Sequence, residues 1–323
     1  MKSLVLSVSP NTSTDRISVV ENFVPGEPSR TLFSFDQAGG SGAHATDIAQ
    51  QLGSDTRTLV LLGSYNRDRW KVIAEQHHMP YDFVDIGVPN RSTFVLIDKH
   101  KGNIAEVIDA GPQVPADTGQ KLFTLIESYL DQTGLLILSG SLPPGMAPDF
   151  YVQAIELARS YQVKCLVDAS AAPLQHALKA RPWAIKPNLY EFHQIVGTKT
   201  TTIQEHIQQL SRISDTIADV ILLSLGQDGL LVAIKDNIWH LTAPNHGVTL
   251  PDTSAINTIG CGDALVGGFS YGYVRGQDVV ESACWGVACS TATLGTFGVP
   301  AIDPDQVREL FKRIQVAAVL EKS

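Results

Sequence analysis

The chemistry of this chain concentrates in Asn257-Thr258-Ile259-Gly260-Cys261-Gly262-Asp263, which leads into an apolar run from Ala264 to Phe269. Two glycines flank a small residue, and a carboxylate sits where a helix begins. Glycine lets the backbone come close to a ligand, and the first amides of a helix point outward unpaired. The amides of Gly260, Cys261 and Gly262, with the helix dipole behind them, favour a phosphate or a developing negative charge. Asp263, one residue beyond, is placed to accept a proton from a hydroxyl attacking that phosphate. The arrangement points to phosphoryl transfer. Read alone, so short a motif is more often a plain turn, with Asp263 capping the helix after it.

Other stretches keep company with it. Gln37-Ala38-Gly39-Gly40-Ser41-Gly42-Ala43-His44 is a glycine-rich turn entering an alanine-rich helix. Part of it, Gly40-x-Gly42-x-x-Ala45, fits a dinucleotide fingerprint loosely, but no strand and acid follow at the expected distance, so a substrate-facing loop is favoured over a bare turn. Asp15 follows the first strand, where open α/β sheets bind ligands; it suits sugar hydroxyls or the turn itself. Lys186-Pro187-Asn188-Leu189-Tyr190-Glu191 ends a strand and starts a helix. Asn188 and Glu191 share a face and suit Mg²⁺ or its waters, and they suit a capping box equally well. Ser224-Leu225-Gly226-Gln227-Asp228-Gly229 is either a nucleotide-phosphate turn or a hairpin connection. Ser139-Gly140-Ser141-Leu142-Pro143-Pro144-Gly145 sets two hydroxyls on a proline-stiffened loop, suited to a phosphorylated substrate. Cys261 as a nucleophile lacks an assignable base.

The elements that position these residues are legible as a pattern. With 323 residues the chain can bury a large core, and 44% hydrophobic and 18% charged residues are ordinary for a globular protein. A net charge of −9 without a Lys/Arg run argues against nucleic acid or an anionic membrane as partner, and makes each arginine near a site informative. No apolar run has membrane-spanning length and the N-terminus reads as a strand, not a signal peptide. Four cysteines without disulfide or zinc spacing read as buried hydrophobes in a reducing cytoplasm. The histidines form no metal-spaced cluster, and His77-His78 reads as an exposed helix end. Strand-like runs at Leu4 to Val8, Thr58 to Leu62, Leu135 to Leu138, Lys164 to Val167, Ala184 to Lys186 and Val220 to Ser224 alternate with helices. That argues for a doubly wound, mostly parallel sheet flanked by helices. Residues of about 16–38 and 81–109 break the pattern with short alternating strands. Thr93 to Ile97 and Ile104 to Ile108 form a hairpin, so a small β-sheet lid is expected beside the crevice.

These segments, in this order, resemble the ribokinase-like (PfkB) carbohydrate kinases across nearly the whole chain. Gly39 to Gly42 is similar to the family's N-terminal signature and Asn257 to Gly268 to its C-terminal one. Ser139 to Gly145, Asp168-Ala169-Ser170 and Lys186 to Glu191 resemble the hexose-phosphate branch of 1-phosphofructokinase, tagatose-6-phosphate kinase and 6-phosphofructokinase. The resemblance implies one kinase domain over residues 1–323, with ATP and Mg²⁺ as cofactors. It implies Asp263 as base with Gly260, Cys261 and Gly262 as anion hole, Asn188 and Glu191 on the Mg²⁺ side, and Lys186, Ser224, Gly226 and Gly229 near ATP. It also puts Asp15, Gly39, Gly40, Ser41 and His44 near the sugar, and Arg91 and Ser141 on the substrate's existing phosphate, with Arg30 a further candidate. In 1-phosphofructokinases Ser41 is usually Lys, His44 usually Asn and Cys261 usually Ala. The expected activity is ATP-dependent phosphorylation of a ketohexose phosphate. The rivals are a kinase of an unphosphorylated sugar or nucleoside, a sugar-phosphate sensor and a nicotinamide oxidoreductase. The lid's apolar alternation suggests a homodimer contact.

Overall fold

Near-continuous apolar runs need cover on both faces, and the chain supplies it by alternating strands with helices. The computed structural model describes residues 2–64, 66–244, 258–294 and 302–320. β1 (Leu4–Ser9) is followed by two strands of a separate sheet, β2 (Ser13–Val20) and β3 (Thr31–Gly39). Then come α1 (Ser41–Gln51), β4 (Thr56–Leu62), α2 (Arg67–Gln76) and β5 (Tyr81–Asp85). The small sheet is completed by β6 (Arg91–Asp98) and β7 (Ile104–Ile108). The winding resumes with α3 (Thr118–Leu130), β8 (Thr133–Ser139), α4 (Phe150–Ser160), β9 (Lys164–Asp168), α5 (Ala171–Lys179) and β10 (Ala184–Ile185). After α6 (Leu189–Val196) and α7 (Ile203–Ile217), β11 (Val220–Ser224), β12 (Leu230–Ile234) and β13 (Asn237–Thr242) run as a meander. α8 (Cys261–Val274), α9 (Val279–Thr293), α10 (Pro304–Phe311) and β14 (Gln315–Leu320) follow.

The large sheet runs β14-β13-β12-β11-β10-β9-β8-β1-β4-β5. From β5 to β11 every pairing is parallel; from β11 to β14 every pairing is antiparallel. The chain leaves β1 in one direction through β4 and β5, then returns to build from β8 in the other. The carboxyl ends of β1 and β8 therefore diverge, and an open crevice forms at this switch in strand order. α8 lies between α1 and α9, and its glycines allow it: a Cβ on Gly267 would stand 2.5 Å from the Ala45 carbonyl oxygen, and one on Gly268 2.4 Å from that of Trp285. Close backbone approach fixes α8 where its first turn reaches the crevice.

The expected small separate sheet is present, in the order β3-β2-β6-β7, and its first strand in the chain, β2, follows directly on the carboxyl end of β1. Thr93 to Ile97 and Ile104 to Ile108 pair as an antiparallel hairpin. One expected lid strand belongs elsewhere: Tyr81–Asp85 pairs in parallel with β4 at the edge of the large sheet. An edge strand is covered on fewer sides, so its half-buried alternation is the same as a lid strand's. The inner side of the small sheet packs Ile17, Val19, Val95 and Ile97 with Phe35, Ile104 and Ile259. The turn that opens α8 thus touches the small sheet through Ile259. Among the described residues no helix is long and apolar enough to cross a membrane.

Candidate active site

Two helix N-termini meet at the crevice. α1 begins after Gly40, and α8 begins after Gly260, which takes the left-handed conformation at φ 76°. A side chain is strained in that conformation, which accounts for glycine at the turn. Asp263 lies in the first turn of α8, and among the described residues no side chain caps that helix. Its carboxylate instead reaches the N-terminal half of α1, where Oδ2 lies 2.9 Å from His44 Nδ1. Both side chains are mostly enclosed, at 13% and 16% exposure. The helix-cap reading of Asp263 does not describe this geometry. The Cys261 amide donates to the Thr258 carbonyl at 3.4 Å, closing the turn. Asn257, which opens the motif, lies outside the described residues.

A buried cation stands beside this turn. The Lys186 ammonium is 3.0 Å from Asp168, with 7% and 13% of the two side chains exposed, and 3.3 Å from where a Cβ on Gly262 would sit. Burial pushes the Asp168 carboxyl up to about 6; Lys186 opposes the rise, while Asp263 and Glu191 add to it. Burial disfavours the Lys186 charge, but Asp168, Glu191 and Asp263 outweigh it and hold its pKa above the usual lysine value. A charged lysine thus stands against a helix N-terminus in a protein of net charge −9.

Asn188 and Glu191 form the capping box foreseen as their alternative role: Asn188 Oδ1 accepts from the Glu191 amide and Glu191 Oε2 from the Asn188 amide, both at 2.9 Å. Asn188 bridges to Ser224 across the ends of adjacent strands, which brings the metal and nucleotide candidates together. The Ser224 to Gly229 turn is a hairpin connection between β11 and β12. It is closed by Leu225 donating to the Gly229 carbonyl and Gly229 to that of Gly226.

At the base of the lid, Ser13 donates to Asp15 Oδ1 at 2.6 Å, and Ser13 pairs with Arg91 in register. Gly39 lies against them, since a Cβ there would stand 2.4 Å from both Asp15 Oδ1 and Ser13 Oγ. Arg91 donates from Nε to the Asn11 carbonyl at 2.8 Å, and the Asn11 side chain donates to Ser141 Oγ at 2.9 Å. Asn11 therefore links the two residues expected on the substrate phosphate. The sequence signal for it was only a polar residue in the turn after β1. Burial draws the Arg91 pKa below the usual arginine value, against the pull of Asp15 and Asp109; the guanidinium stays charged. Arg30 is not brought here. It is exposed at the far end of β3, about 30 Å of extended chain from Gly39.

The four cysteines are free, and Cys165, Cys284 and Cys289 are buried. Burial pushes the Cys261 thiol up to about 12, the opposite of what a nucleophile needs. His77 ends α2 as expected, and pairs with Asp47 at 3.3 Å.

A doubly wound sheet with a glycine-started helix at its switch point and a small sheet inserted above is the architecture of the ribokinase-like sugar kinases. The family model for pfkB carbohydrate kinases matches residues 5–305, and the chain belongs to that family. It is an ATP-dependent sugar kinase. The chain is 26% identical to 1-phosphofructokinase of Vibrio cholerae over 319 residues, 99% of this chain and 98% of that one. It is 24% identical to ATP-dependent 6-phosphofructokinase isozyme 2 of Mycobacterium tuberculosis over 312 residues, 96% of this chain and 90% of the other. The solved structure of phosphofructokinase-2 from Escherichia coli in complex with substrates and products matches with a TM-score of 0.85 at 20% identity, covering 95% of this chain and 98% of that one.

Proposed function

We propose that this kinase transfers the terminal phosphoryl group of ATP to a primary hydroxyl of a ketohexose phosphate. The observation that carries the reading is the position of Asp263, in the first turn of α8, one residue past the Gly262 that stands against Lys186, with its carboxylate uncommitted to the helix end. As the acceptor oxygen bonds to phosphorus, its proton passes to Asp263 and the bond to the ADP oxygen breaks. The Gly260 to Gly262 backbone and Lys186 face the charge that builds on the transferred group, an effect worth about 3–4 kcal/mol per well-placed donor. Ser224, Gly226 and Gly229 line the ATP side; Asp15, Gly39, Gly40 and Ser41 line the sugar side.

Among the described residues no three His, Cys, Asp or Glu side chains gather as a metal site. Asn188 and Glu191 still fit Mg²⁺, because they offer hard oxygen donors and that ion keeps most of its waters. They would hold it through water, and the bound ion supplies neutralisation of the ATP phosphate charge. Residues 1–323 act as one kinase domain in the cytoplasm, with the small sheet closing over the crevice to keep water from the transferred group. The outer side of that sheet presents Phe94 and Val107, directly opposite each other and 53% and 63% exposed. An apolar pair on an open sheet face suits a second copy of the chain. Phe94→Asp is expected to convert a dimer into a monomer in sedimentation velocity; a wild-type monomer at micromolar concentration would refute the contact.

Arg91, Asn11 and Ser141 support a phosphorylated acceptor, and the names of the relatives support a fructose phosphate. A panel of fructose 1-phosphate, fructose 6-phosphate, tagatose 6-phosphate and the free sugars tests this. A phosphosugar should win in kcat/KM, and Arg91→Ala should raise its KM about 10- to 100-fold, the worth of a charged hydrogen bond. Preference for a free sugar or nucleoside, with the Arg91 variant unchanged, would transfer the reading to an unphosphorylated substrate. Ser41, where a lysine is usual in 1-phosphofructokinases, is the residue that would then explain it.

A further inference from the structure

Acid and imidazole side chains alternate from the base to the protein surface. Asp263 Oδ2 meets His44 Nδ1 at 2.9 Å; Asp47 lies three residues along α1 from His44, and its Oδ2 is 3.3 Å from Nδ1 of His77, which is 38% exposed. His44 Nε2 and Asp47 Oδ1 are buried and make no hydrogen bond among the described residues. A plain strut between two helices needs neither an ionisable group on the base nor a second carboxylate behind it.

We propose that His44 is the positioning residue of the phosphoryl-transfer base: its Nδ1–H holds Oδ2 of Asp263 so that Oδ1 faces the acceptor hydroxyl, and its charge sets how readily that carboxylate takes the proton. This rests on the kinase reading above. In the step itself the acceptor O–H bond breaks, its oxygen bonds to the phosphorus, the bond to the ADP oxygen breaks with its electron pair, and the proton ends on Oδ1. With His44 neutral, the Nδ1–H bond orients a carboxylate that is still basic. With His44 protonated, taking the proton would leave an enclosed imidazolium without its counter-charge, so transfer is disfavoured. Turnover therefore rises as His44 loses its proton.

Among the described residues, the charged groups facing His44 are Asp263 from α8, Asp15 from β2 and Asp47 from its own helix, with His77 of α2 beyond Asp47 and Lys186 beyond Asp263. Burial works against the His44 charge, but the bond to Asp263 and the fields of Asp263, Asp15 and Asp47 outweigh it and place its pKa above the ordinary histidine value. The sign follows: the stabilising ion pair is complete below the ordinary histidine pKa and is lost as pH rises through the raised one, while catalysis gains over that same interval.

Ring-nitrogen NMR of the full chain without substrate, in wild type, Asp263→Asn and Asp47→Asn, tests the coupling. The His44 titration should fall in the first variant and fall less in the second, since Asp263 both bonds to the ring and faces it while Asp47 acts only through its field. In steady-state assays wild-type log(kcat/KM) should rise through that titration, and His44→Asn should lack the rising limb. His44→Ala should lose about 10- to 100-fold in kcat with the KM for ATP unchanged, and His44→Asn, which keeps an N–H donor, should recover most of it. A His44 titration unmoved in Asp263→Asn, or a rising limb retained in His44→Asn, overturns the proposal, and the Asn variant serves should the Ala variant fail to fold. Wild-type protein that transfers no phosphate at any pH removes the kinase reading instead, and the substrate-free titration still decides whether Asp263 and His44 are coupled.

Discussion

Asp263→Asn is expected to lower kcat by about 10³-fold, within the usual worth of a positioned base, while ATP binds nearly as before. The asparagine keeps the shape and still accepts from His44, so the junction of α1 and α8 survives; what goes is the basic oxygen. Asp263 is 16% exposed and sits beyond a turn whose backbone is shaped by Gly260 in the left-handed conformation. ATP is held by other groups on this reading, so its dissociation constant, read by calorimetry, should shift by less than about threefold. A variant retaining a tenth of wild-type kcat would show that the hydroxyl proton goes elsewhere.

Lys186→Met should have the next largest effect, and on two properties. Removing the ammonium takes away the cation paired with Asp168, which is 13% exposed, and breaking such a buried pair costs about 3–5 kcal/mol. The cost depends on pH. The Asp168 carboxyl is pushed up to about 6 from an ordinary 3.8, so the folded protein binds that proton more readily than the unfolded chain. Its contribution is best below the ordinary value and worsens as pH rises through the raised one. Without Lys186 the carboxyl rises further and the window widens upward. Urea unfolding should thus show the variant close to wild type near pH 4 and far weaker near pH 8, with Asp168→Asn in the same chain restoring most of the difference at pH 8. The KM for ATP should rise about 10- to 100-fold, because the cation beside Gly262 is gone. Equal destabilisation at both pH values would mean that lost packing, not the unpaired carboxylate, dominates.

What the sequence shows and what it hides divide along a physical line. Local signals read well: the apolar β8 and β11, the β6–β7 hairpin, and the glycine turn before Asp263 each depend on a few consecutive residues. Partnership across the fold does not. Tyr81–Asp85 has the half-buried alternation of any edge strand, and only pairing with β4 reveals which sheet it edges. The antiparallel run of β12, β13 and β14 is likewise a matter of register. His44 and Asp263 are 219 residues apart, and nothing near either announces the other. Asn188 and Glu191 show the converse: one spacing serves a capping box and a metal ligand pair alike, and the capping box is formed. Arg30 looked useful because arginine suits phosphate, yet an extended β3 carries it away from the crevice.

The most direct test of the account is to follow phosphorus itself. Wild-type enzyme mixed with Mg²⁺, ATP and a ketohexose phosphate, observed by ³¹P NMR, should lose the terminal ATP signal and gain a second phosphomonoester on the sugar, one for each ADP formed. ATP left intact beside every sugar phosphate offered, or converted only to ADP and free phosphate, would contradict it.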